Sequence, residues 1–216
     1  KKLPYVSRGG LKLEKALKAF DLSVEGKTLL DIGASTGGFT DAALQNGAKM
    51  SYALDVGYNQ LAWKIRQDPR VVVMERVNFR YAKPEDFTLG IPEVAVIDVS
   101  FISLKLMLPP LHAILKEEGE VIALIKPQFE AGREAVGKNG IVRDPQTHQK
   151  VLEDILSFAA QGGYDVLELS YSPITGGEGN IEFLAHLRKV PESGTINSAI
   201  NMAEVVSNAH EQFDHK

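Results

Sequence analysis

The stretch LLDIGASTGGF, residues 29–39, joins an apolar run to a turn that contains three glycines. The residues that follow, up to Gly47, have the composition of a helix, so the turn connects a strand to a helix. Three kinds of site are built on such a turn: the nucleophile elbow of a serine hydrolase, a phosphate-binding P-loop, and a loop that binds a nucleoside cofactor. Each kind requires different partner residues elsewhere in the chain.

Apolar strand patterns recur along the chain and alternate with helical patterns. The predicted strands are KTLLDIG, KMSYALDVG, RVVVME, EVAVIDVS, GEVIALIKP, YDVLELSYSP and NIEFLAHLR. Near-continuous apolar strands separated by helices are typical of a parallel sheet covered on both faces. Only ITGGEG separates the last two strands, which is too short for a crossover helix. We therefore predict a doubly wound α/β fold, whose mostly parallel seven-stranded sheet has an antiparallel hairpin at its edge.

Three segments between these strands, or before them, have helical patterns. Residues 10–20 have apolar side chains at helical spacing and predict an amphipathic helix. The segment NQLAWKIRQD predicts a helix that ends before Pro69, and SLKLMLPPLHAIL predicts a helix that is bent or broken at Pro109 and Pro110.

The composition is that of an ordinary globular protein, with 216 residues of which 44% are hydrophobic and 24% charged. We predict one domain over residues 1–190 and, where the chain becomes polar, a linker and a helix over residues 191–216. The absence of cysteine excludes disulfides and thiolate metal sites, and favours the cytoplasm; no metal site is predicted. No apolar run approaches the roughly 20 residues that span a bilayer, and the start KKLPYVSRGG lacks the apolar core of a signal peptide.

The charge balance bears on nucleic-acid binding. A net charge of −4 argues against an autonomous nucleic-acid-binding domain, since such domains are usually basic. Basic residues nevertheless cluster between Lys1 and Lys18. This cluster is either a solvated helix face or a contact surface for a polyanion.

Two of the three interpretations of the glycine-rich turn fail on their partner residues. A nucleophile elbow would use Ser35 with an acid and a histidine in later loops, but His186 lies in a strand pattern and His112 and His148 lie in helix patterns. A P-loop would need lysine at the position that Phe39 occupies. The cofactor loop therefore remains as the best interpretation, against the alternative of an incidental turn that binds no ligand.

Two acids support the cofactor interpretation. Asp31 directly precedes the turn, and Asp55 ends the next predicted strand, where a carboxylate can accept hydrogen bonds from two ribose hydroxyls. Two carboxylates suit a nucleoside cofactor that carries a positive charge. The dinucleotide pattern GxGxxG is not met, because Ser35 occupies its second glycine position. We therefore predict that the loop binds S-adenosylmethionine rather than a nicotinamide dinucleotide.

Four ionisable residues are predicted to converge at the same edge of the sheet. In an open parallel sheet, ligands bind outside the carboxyl ends of the strands. Asp98 and Lys126 end predicted strands, and Glu182 stands near the start of the last, antiparallel strand. Lys12 lies near the start of the first helix, which must begin at this edge if it delivers the chain to the bottom of strand one.

Such a group could remove a proton from a ribose hydroxyl during methyl transfer. In-line transfer from a sulfonium requires alignment of the attacking oxygen and removal of its proton. Lys126 would act as the base in its neutral form, which burial and the second cation, Lys12, favour. Asp98 and Glu182 oppose that effect while they fix the orientation of the amine. Structural salt bridges are the alternative interpretation of these residues.

The chain resembles a known family nearly segment by segment. The matching segments are VSRGGLKL, LDIGASTGGF, DVSFISL, IKPQFEAGR, GIVRDP and SPITGGEGNIEFLAHLR, within about residues 5–188. They resemble the TlyA or hemolysin A family of FtsJ-like ribose methyltransferases. The resemblance implies a Rossmann-like class I methyltransferase fold and S-adenosylmethionine-dependent 2'-O-methylation of cytidine in ribosomal RNA of the small, and in some members also the large, subunit.

The resemblance also implies roles for individual residues. The family's catalytic tetrad corresponds to Lys12, Asp98, Lys126 and Glu182. Its cofactor loop corresponds to Asp31, Gly33, Ser35, Gly37 and Gly38, with Asp55 expected at the ribose and Asn78 near the adenine. Family members begin with a small RNA-binding domain, and the sequence starts where that domain would end, so we expect a catalytic domain without it. The candidates for RNA contacts from this domain are Arg8, Lys15, Lys18, Arg133 and Lys138.

Two other functions are alternatives to RNA methylation. The family name implies membrane lysis, for which the sequence offers neither a spanning segment nor a long basic amphipathic helix with an aromatic face. A non-catalytic RNA-binding module on a methyltransferase fold is the other alternative. Phe101 and Phe129 are candidates for a base-stacking pocket, against the alternative that both are core aromatics.

Overall fold

Seven strands form one sheet in the order β3-β2-β1-β4-β5-β7-β6 in the computed structural model, which describes residues 2–214. Lys1, His215 and Lys216 lie outside the described residues. The first five strands are parallel, and β7 lies antiparallel between β5 and β6. The predicted sheet and its antiparallel edge hairpin are confirmed. The strands are β1 Thr28–Ile32, β2 Met50–Leu54, β3 Val71–Met74, β4 Val94–Ile97, β5 Glu120–Ile125, β6 Tyr164–Tyr171 and β7 Phe183–Lys189.

Helices cover both faces of the sheet. They are α1 Gly9–Ala19, α2 Gly38–Gln45, α3 Trp63–Arg66, α4 Leu108–Ile114, α5 Pro127–Glu130, α6 Pro145–Gln161 and α7 Met202–Phe213. All five residues of β1 are buried: Leu29 packs in the apolar layer that contains residues of α1 and α2, and Leu30 in the layer that contains residues of α4, α6 and α7. Successive strand residues point to opposite faces of the sheet. Because both faces are buried, the strands are apolar at nearly every position, which explains the continuous apolar runs in the sequence.

Two predicted helices differ from the observed ones. The segment before Pro69 forms only the single turn of α3. In the segment SLKLMLPPLHAIL, a 3₁₀ turn at Leu104–Leu106 is followed by α4, and Pro109 and Pro110 lie in the first turn of α4. Proline has no N–H to donate, and the first turn of a helix needs none, so the prolines begin this helix rather than bend it.

The C-terminal helix α7 packs against the same apolar layer as α6. Val206 and Ala209 are buried in it, and α7 contacts both α6 and β6. The division of the chain at residue 190 remains a prediction.

Close packing of α1 against α2 brings the start of α1 to the carboxyl edge of the sheet. A Cβ atom on Gly38 would lie 2.2 Å from Ser7 Oγ and 2.9 Å from the backbone nitrogen of Gly10. Only glycine permits the two helix N-termini to approach this closely. The contact places Lys12 one turn further along α1, where it faces the end of β4.

Candidate active site

The glycine-rich turn after β1 is shaped by left-handed backbone conformations. Gly33, Ser35 and Gly37 have φ angles of +86°, +51° and +103°. A Cβ atom on Gly33 would lie 2.1 Å from the backbone oxygen of Asp98. Because β1 and β4 are neighbours, this contact fixes the turn against the residue that follows β4. Glycine is therefore required at position 33 for both conformation and space.

Asp55 is held by two backbone donors at the end of β2. Its Oδ1 accepts a hydrogen bond of 3.1 Å from the backbone N–H of Ser35, and its Oδ2 accepts one of 2.7 Å from Gly57. The carboxylate thus links the glycine-rich turn to the next strand. Asn78 is exposed beyond β3, where its side-chain oxygen accepts a hydrogen bond of 3.0 Å from the backbone of Arg80.

A cavity of about 400 Å³ lies at this edge of the sheet. Its volume lies within the range of small-molecule sites. Four of the predicted cofactor residues line it: Gly33, Ser35, Asp55 and Asn78. Asp31, Gly37 and Gly38 are not among its lining residues.

The remaining three loop residues stabilise the turn without lining the cavity. Asp31 Oδ2 accepts hydrogen bonds from the backbone N–H and the hydroxyl of Thr40, at 3.2 and 2.8 Å, and so fixes the first turn of α2. A Cβ atom on Gly37 would come within 3.1 Å of Leu61, and Gly38 packs against α1.

Burial raises the pKa of Asp31 to about 7, from an ordinary value of 3.8. Its carboxyl is fully buried, and Oδ1 has no hydrogen-bond partner among residues 2–214. Asp98 and Asp55 add to the rise through their negative charge, whereas the hydrogen bonds from Thr40 oppose it. Between about pH 4 and pH 7, the folded state therefore holds a proton that the unfolded state has lost.

The unfolding free energy is expected to fall as pH rises through this window, because ionisation costs more in the folded protein. Between pH 5 and pH 8 the contribution of Asp31 to the loss is on the order of 3 kcal/mol, at about 1.4 kcal/mol per pKa unit. Asp31→Asn cannot ionise, so its stability should fall less over the same interval. Urea denaturation of both proteins at several pH values measures the difference, and parallel pH profiles would contradict the assignment.

The four ionisable residues predicted to converge do lie together. Asp98 Oδ2 accepts a hydrogen bond of 3.2 Å from Lys12 Nζ, and Asp98 Oδ1 forms an ion pair of 2.5 Å with Lys126 Nζ. Glu182 Oε1 lies 3.5 Å from Lys12 Nζ. Lys12, Lys126 and Glu182 are buried, at 8%, 7% and 2% exposure. The aspartate thus bridges two lysines with separate oxygens.

The group contains two amines and two carboxyl groups, so its formal charges balance. Burial alone would raise the pKa of Asp98, but the ammonium groups of Lys12 and Lys126 outweigh it, so this pKa lies below its ordinary value. Asp98 is consequently ionised at neutral pH and can hold both amines by charge-assisted hydrogen bonds.

The four residues line a second cavity of about 520 Å³. It shares Gly33, Ser35, Asp98, Ser100 and Phe101 with the first cavity, so the two are adjacent. Gln128 also lines it and donates a hydrogen bond of 2.9 Å to Glu182 Oε2. Sequence reasoning missed Gln128 and Ser100, although both stand two residues after members of the group, at positions 126 and 98.

Phe101 is 89% exposed and lies at the rim of this second cavity, in a left-handed conformation with a φ of +64°. Its ring centroid is 4.7 Å from that of Phe129, which is partly buried. The alternative that Phe101 is a core aromatic is therefore wrong.

The five candidates for RNA contact differ in their surroundings. Arg8, Lys18, Arg133 and Lys138 are exposed. The ammonium of Lys15 instead donates to the backbone oxygen of Tyr171 and lies 3.4 Å from the centroid of its ring. Burial lowers the pKa of Lys15 to about 8.

Within residues 2–214, no group of three or more His, Asp or Glu side chains is arranged to hold a metal ion. No helix in this part of the chain is long and apolar enough to cross a membrane.

The chain resembles characterised and solved proteins over most of its length. It is 63% identical to the "Putative rRNA methyltransferase YqxC" of Bacillus subtilis (strain 168), over 99% of this chain and 77% of the relative. It is 45% identical to the 16S/23S rRNA (cytidine-2'-O)-methyltransferase TlyA of Mycobacterium tuberculosis (strain ATCC 25618 / H37Rv), over 85% of this chain and 68% of the relative. A solved structure, "Putative hemolysin from Streptococcus thermophilus", is 61% identical with a TM-score of 0.96 and covers 100% of this chain and 78% of its own.

Two solved structures at low identity share the Rossmann-like fold: a "putative S-adenosylmethionine dependent methyltransferase" from Listeria monocytogenes, 17% identical with a TM-score of 0.59, and an S-adenosylmethionine-dependent methyltransferase from Mesorhizobium loti, 16% identical with a TM-score of 0.58. The model of the FtsJ-like methyltransferase family matches residues 5–189. This match covers the glycine-rich turn and all four residues of the buried ionisable group. The chain belongs to the FtsJ-like methyltransferase family.

Proposed function

We propose that the chain transfers a methyl group from S-adenosylmethionine to the ribose 2'-hydroxyl of a cytidine in ribosomal RNA. The observation that carries this proposal is that Lys12, Asp98, Lys126 and Glu182 line the second cavity, which adjoins the first cavity at Asp98 and the glycine-rich turn. A structural salt-bridge cluster would have no need of these cavities. The cytoplasm, where ribosomes assemble, is the compartment we propose.

The lining of the first cavity supports the cofactor assignment. Glycine at position 33 lets the turn lie against the backbone of Asp98, where a side chain would clash, and Asp55 lines the same cavity after the end of β2. We assign the ribose to Asp55, the adenine to the side of Asn78, and the amino-acid end to the turn at Gly33 and Ser35. When bound, S-adenosylmethionine supplies an electrophilic methyl group on a sulfonium.

The chain's own residues align and deprotonate the ribose oxygen. Lys126, as a neutral amine, accepts the proton of the 2'-hydroxyl, so the oxygen attacks as its O–H bond breaks. Asp98 holds the Lys126 amine and stabilises the ammonium that forms. Lys12 keeps Asp98 and Glu182 in place through its two ion pairs.

The substrate assignment rests on the family relationship and on the surface near the cavity. The relative TlyA is named for action on cytidine in 16S and 23S rRNA. Phe101 is exposed at the rim beside the partly buried Phe129, and a base turned out of an RNA strand can stack on such a ring. Arg8, Lys18, Arg133 and Lys138 are exposed and available to phosphates. Lys15 would have to leave Tyr171 to join them.

Transfer of tritium from methyl-labelled S-adenosylmethionine to purified ribosomal subunits tests the function. We expect label in RNA that depends on the protein. Subunit binding without label under any condition would favour the RNA-binding module, and cofactor-independent leakage of liposomes would favour membrane lysis. Calorimetry with S-adenosylmethionine in the absence of RNA is the control. Cofactor binding in this experiment shows that a lack of label is not due to a damaged cofactor site.

A further inference from the structure

We propose that Ser100 is a positioning residue that orients the lone pair of the Lys126 amine toward the substrate oxygen. This inference rests on the proposed function, in which Lys126 is the base. Ser100 follows β4 by three residues and is exposed where the two cavities meet, since it lines both.

The contacts of Lys126 account for both N–H groups of a neutral amine. Lys126 Nζ lies 2.5 Å from Asp98 Oδ1 and donates a hydrogen bond of 3.3 Å to Ser100 Oγ. A neutral amine has two N–H donors and one lone pair in a tetrahedral arrangement. When Asp98 and Ser100 accept the two donors, the lone pair must occupy the remaining direction. In the proposal this direction faces the second cavity, which Lys126 lines, and the ribose hydroxyl binds there.

Without Ser100, the amine could rotate about its Cε–Nζ bond around the single anchor at Asp98. The lone pair would then sample several directions, and only some of them would meet the hydroxyl. Proton transfer requires a hydrogen bond between base and hydroxyl at the moment of attack, so each misdirected rotamer is unproductive.

The uncharged nature of the serine also distinguishes the two lysines. Lys12 faces two carboxylates, Asp98 at 3.2 Å and Glu182 at 3.5 Å. Lys126 faces one carboxylate and one hydroxyl. A second carboxylate at the position of Ser100 would orient the amine equally well, but its charge would hold the ammonium form and remove the base. A hydroxyl orients the amine without that charge.

The kinetic test compares Ser100→Ala with Ser100→Thr, which keeps the hydroxyl. In Ser100→Ala we expect kcat for methyl transfer to fall about tenfold, the factor that one hydrogen bond provides. The KM for RNA and the dissociation constant for S-adenosylmethionine should change less than about twofold, and Ser100→Thr should recover most of kcat. A kcat for Ser100→Ala within twofold of the wild type, or equal losses in both variants, would overturn the inference.

A second readout does not depend on turnover. Rotation of the Lys126 amine about its Cε–Nζ bond can be followed by ¹⁵Nζ relaxation of labelled lysine in the protein without RNA or cofactor. Ser100 is one of the two groups that anchor this amine, so its loss in Ser100→Ala should make the rotation faster. The buried Lys189, which lines neither cavity, serves as the internal control, and its rotation should not change. Unchanged rotation of the Lys126 amine would overturn the inference even if the wild type proves active, whereas a wild type without turnover would refute only the proposed function.

Discussion

Replacement of Lys126 by methionine is expected to abolish most methyl transfer while leaving cofactor binding intact. Methionine keeps the length of the side chain but cannot accept a proton, so kcat should fall by about 10²- to 10⁴-fold, the usual contribution of a general base. Lys126 does not line the first cavity, to which we assign the cofactor. The dissociation constant for S-adenosylmethionine, measured by calorimetry, should therefore change less than about threefold, a small free-energy difference.

The chain offers a matched control for the loss of a buried lysine. Lys189 is 6% exposed, donates a hydrogen bond of 2.8 Å to the backbone oxygen of Leu115, and pairs with Glu117 at 2.9 Å. Lys189→Met should lower stability and retain kcat. Equal losses of kcat in the two variants would mean that the effect of Lys126→Met is structural, and full activity of Lys126→Met would remove this residue as the base.

Gly33→Ala is expected to have the second large effect, on both stability and cofactor binding. The new Cβ would lie 2.1 Å from the backbone oxygen of Asp98, and both groups belong to backbone that cannot move without displacing a strand end. Alanine at position 33 would also be strained by the φ of +86°. From the clash and this strain together, we expect the unfolding free energy to fall by about 3–5 kcal/mol. The folded fraction should bind S-adenosylmethionine at least about tenfold more weakly, because the turn and Asp98 are displaced together.

Gly26→Ala separates conformational strain from the steric contact. Gly26 has a φ of +70°, and a Cβ there would meet nothing within 4 Å. This variant should lose only about 1 kcal/mol and bind the cofactor normally, since the αL strain alone is of that size. Urea denaturation and calorimetry measure both effects. Equal losses of stability and of cofactor affinity in the two variants would show that the close approach of the turn to Asp98 is not the reason for glycine at position 33.

The sequence predicted that the four ionisable residues converge, because three of them lie at strand ends. Asp98 and Lys126 follow neighbouring parallel strands, whose carboxyl ends must share an edge. Glu182 could be placed at the same edge because the short connection before it forces an antiparallel strand. Lys12 followed from the path of the first helix. These inferences need only topology, which hydrophobic patterns and loop lengths largely determine.

Features that depend on side-chain packing could not be predicted in this way. Ser100 and Gln128 join the ionisable group only through individual contacts, at 3.3 Å with Lys126 and at 2.9 Å with Glu182. The sequence pattern also grouped Asp31 with the residues that line the cavity. In the structure Asp31 does not line the cavity, and its carboxylate instead accepts hydrogen bonds from Thr40. Lys15 likewise looks like part of an exposed basic cluster until the ring of Tyr171 is seen against it.

Nucleoside mass spectrometry of ribosomal RNA is the most direct test of the central claim. Ribosomal subunits from cells that lack this gene would be incubated with the protein and S-adenosylmethionine that carries a ¹³C-labelled methyl group, and the RNA then digested to nucleosides. We predict labelled 2'-O-methylcytidine with the wild type and none with Lys126→Met. Label on a base, label on the ribose of another nucleoside, or no label from a protein that binds the cofactor would contradict the claim.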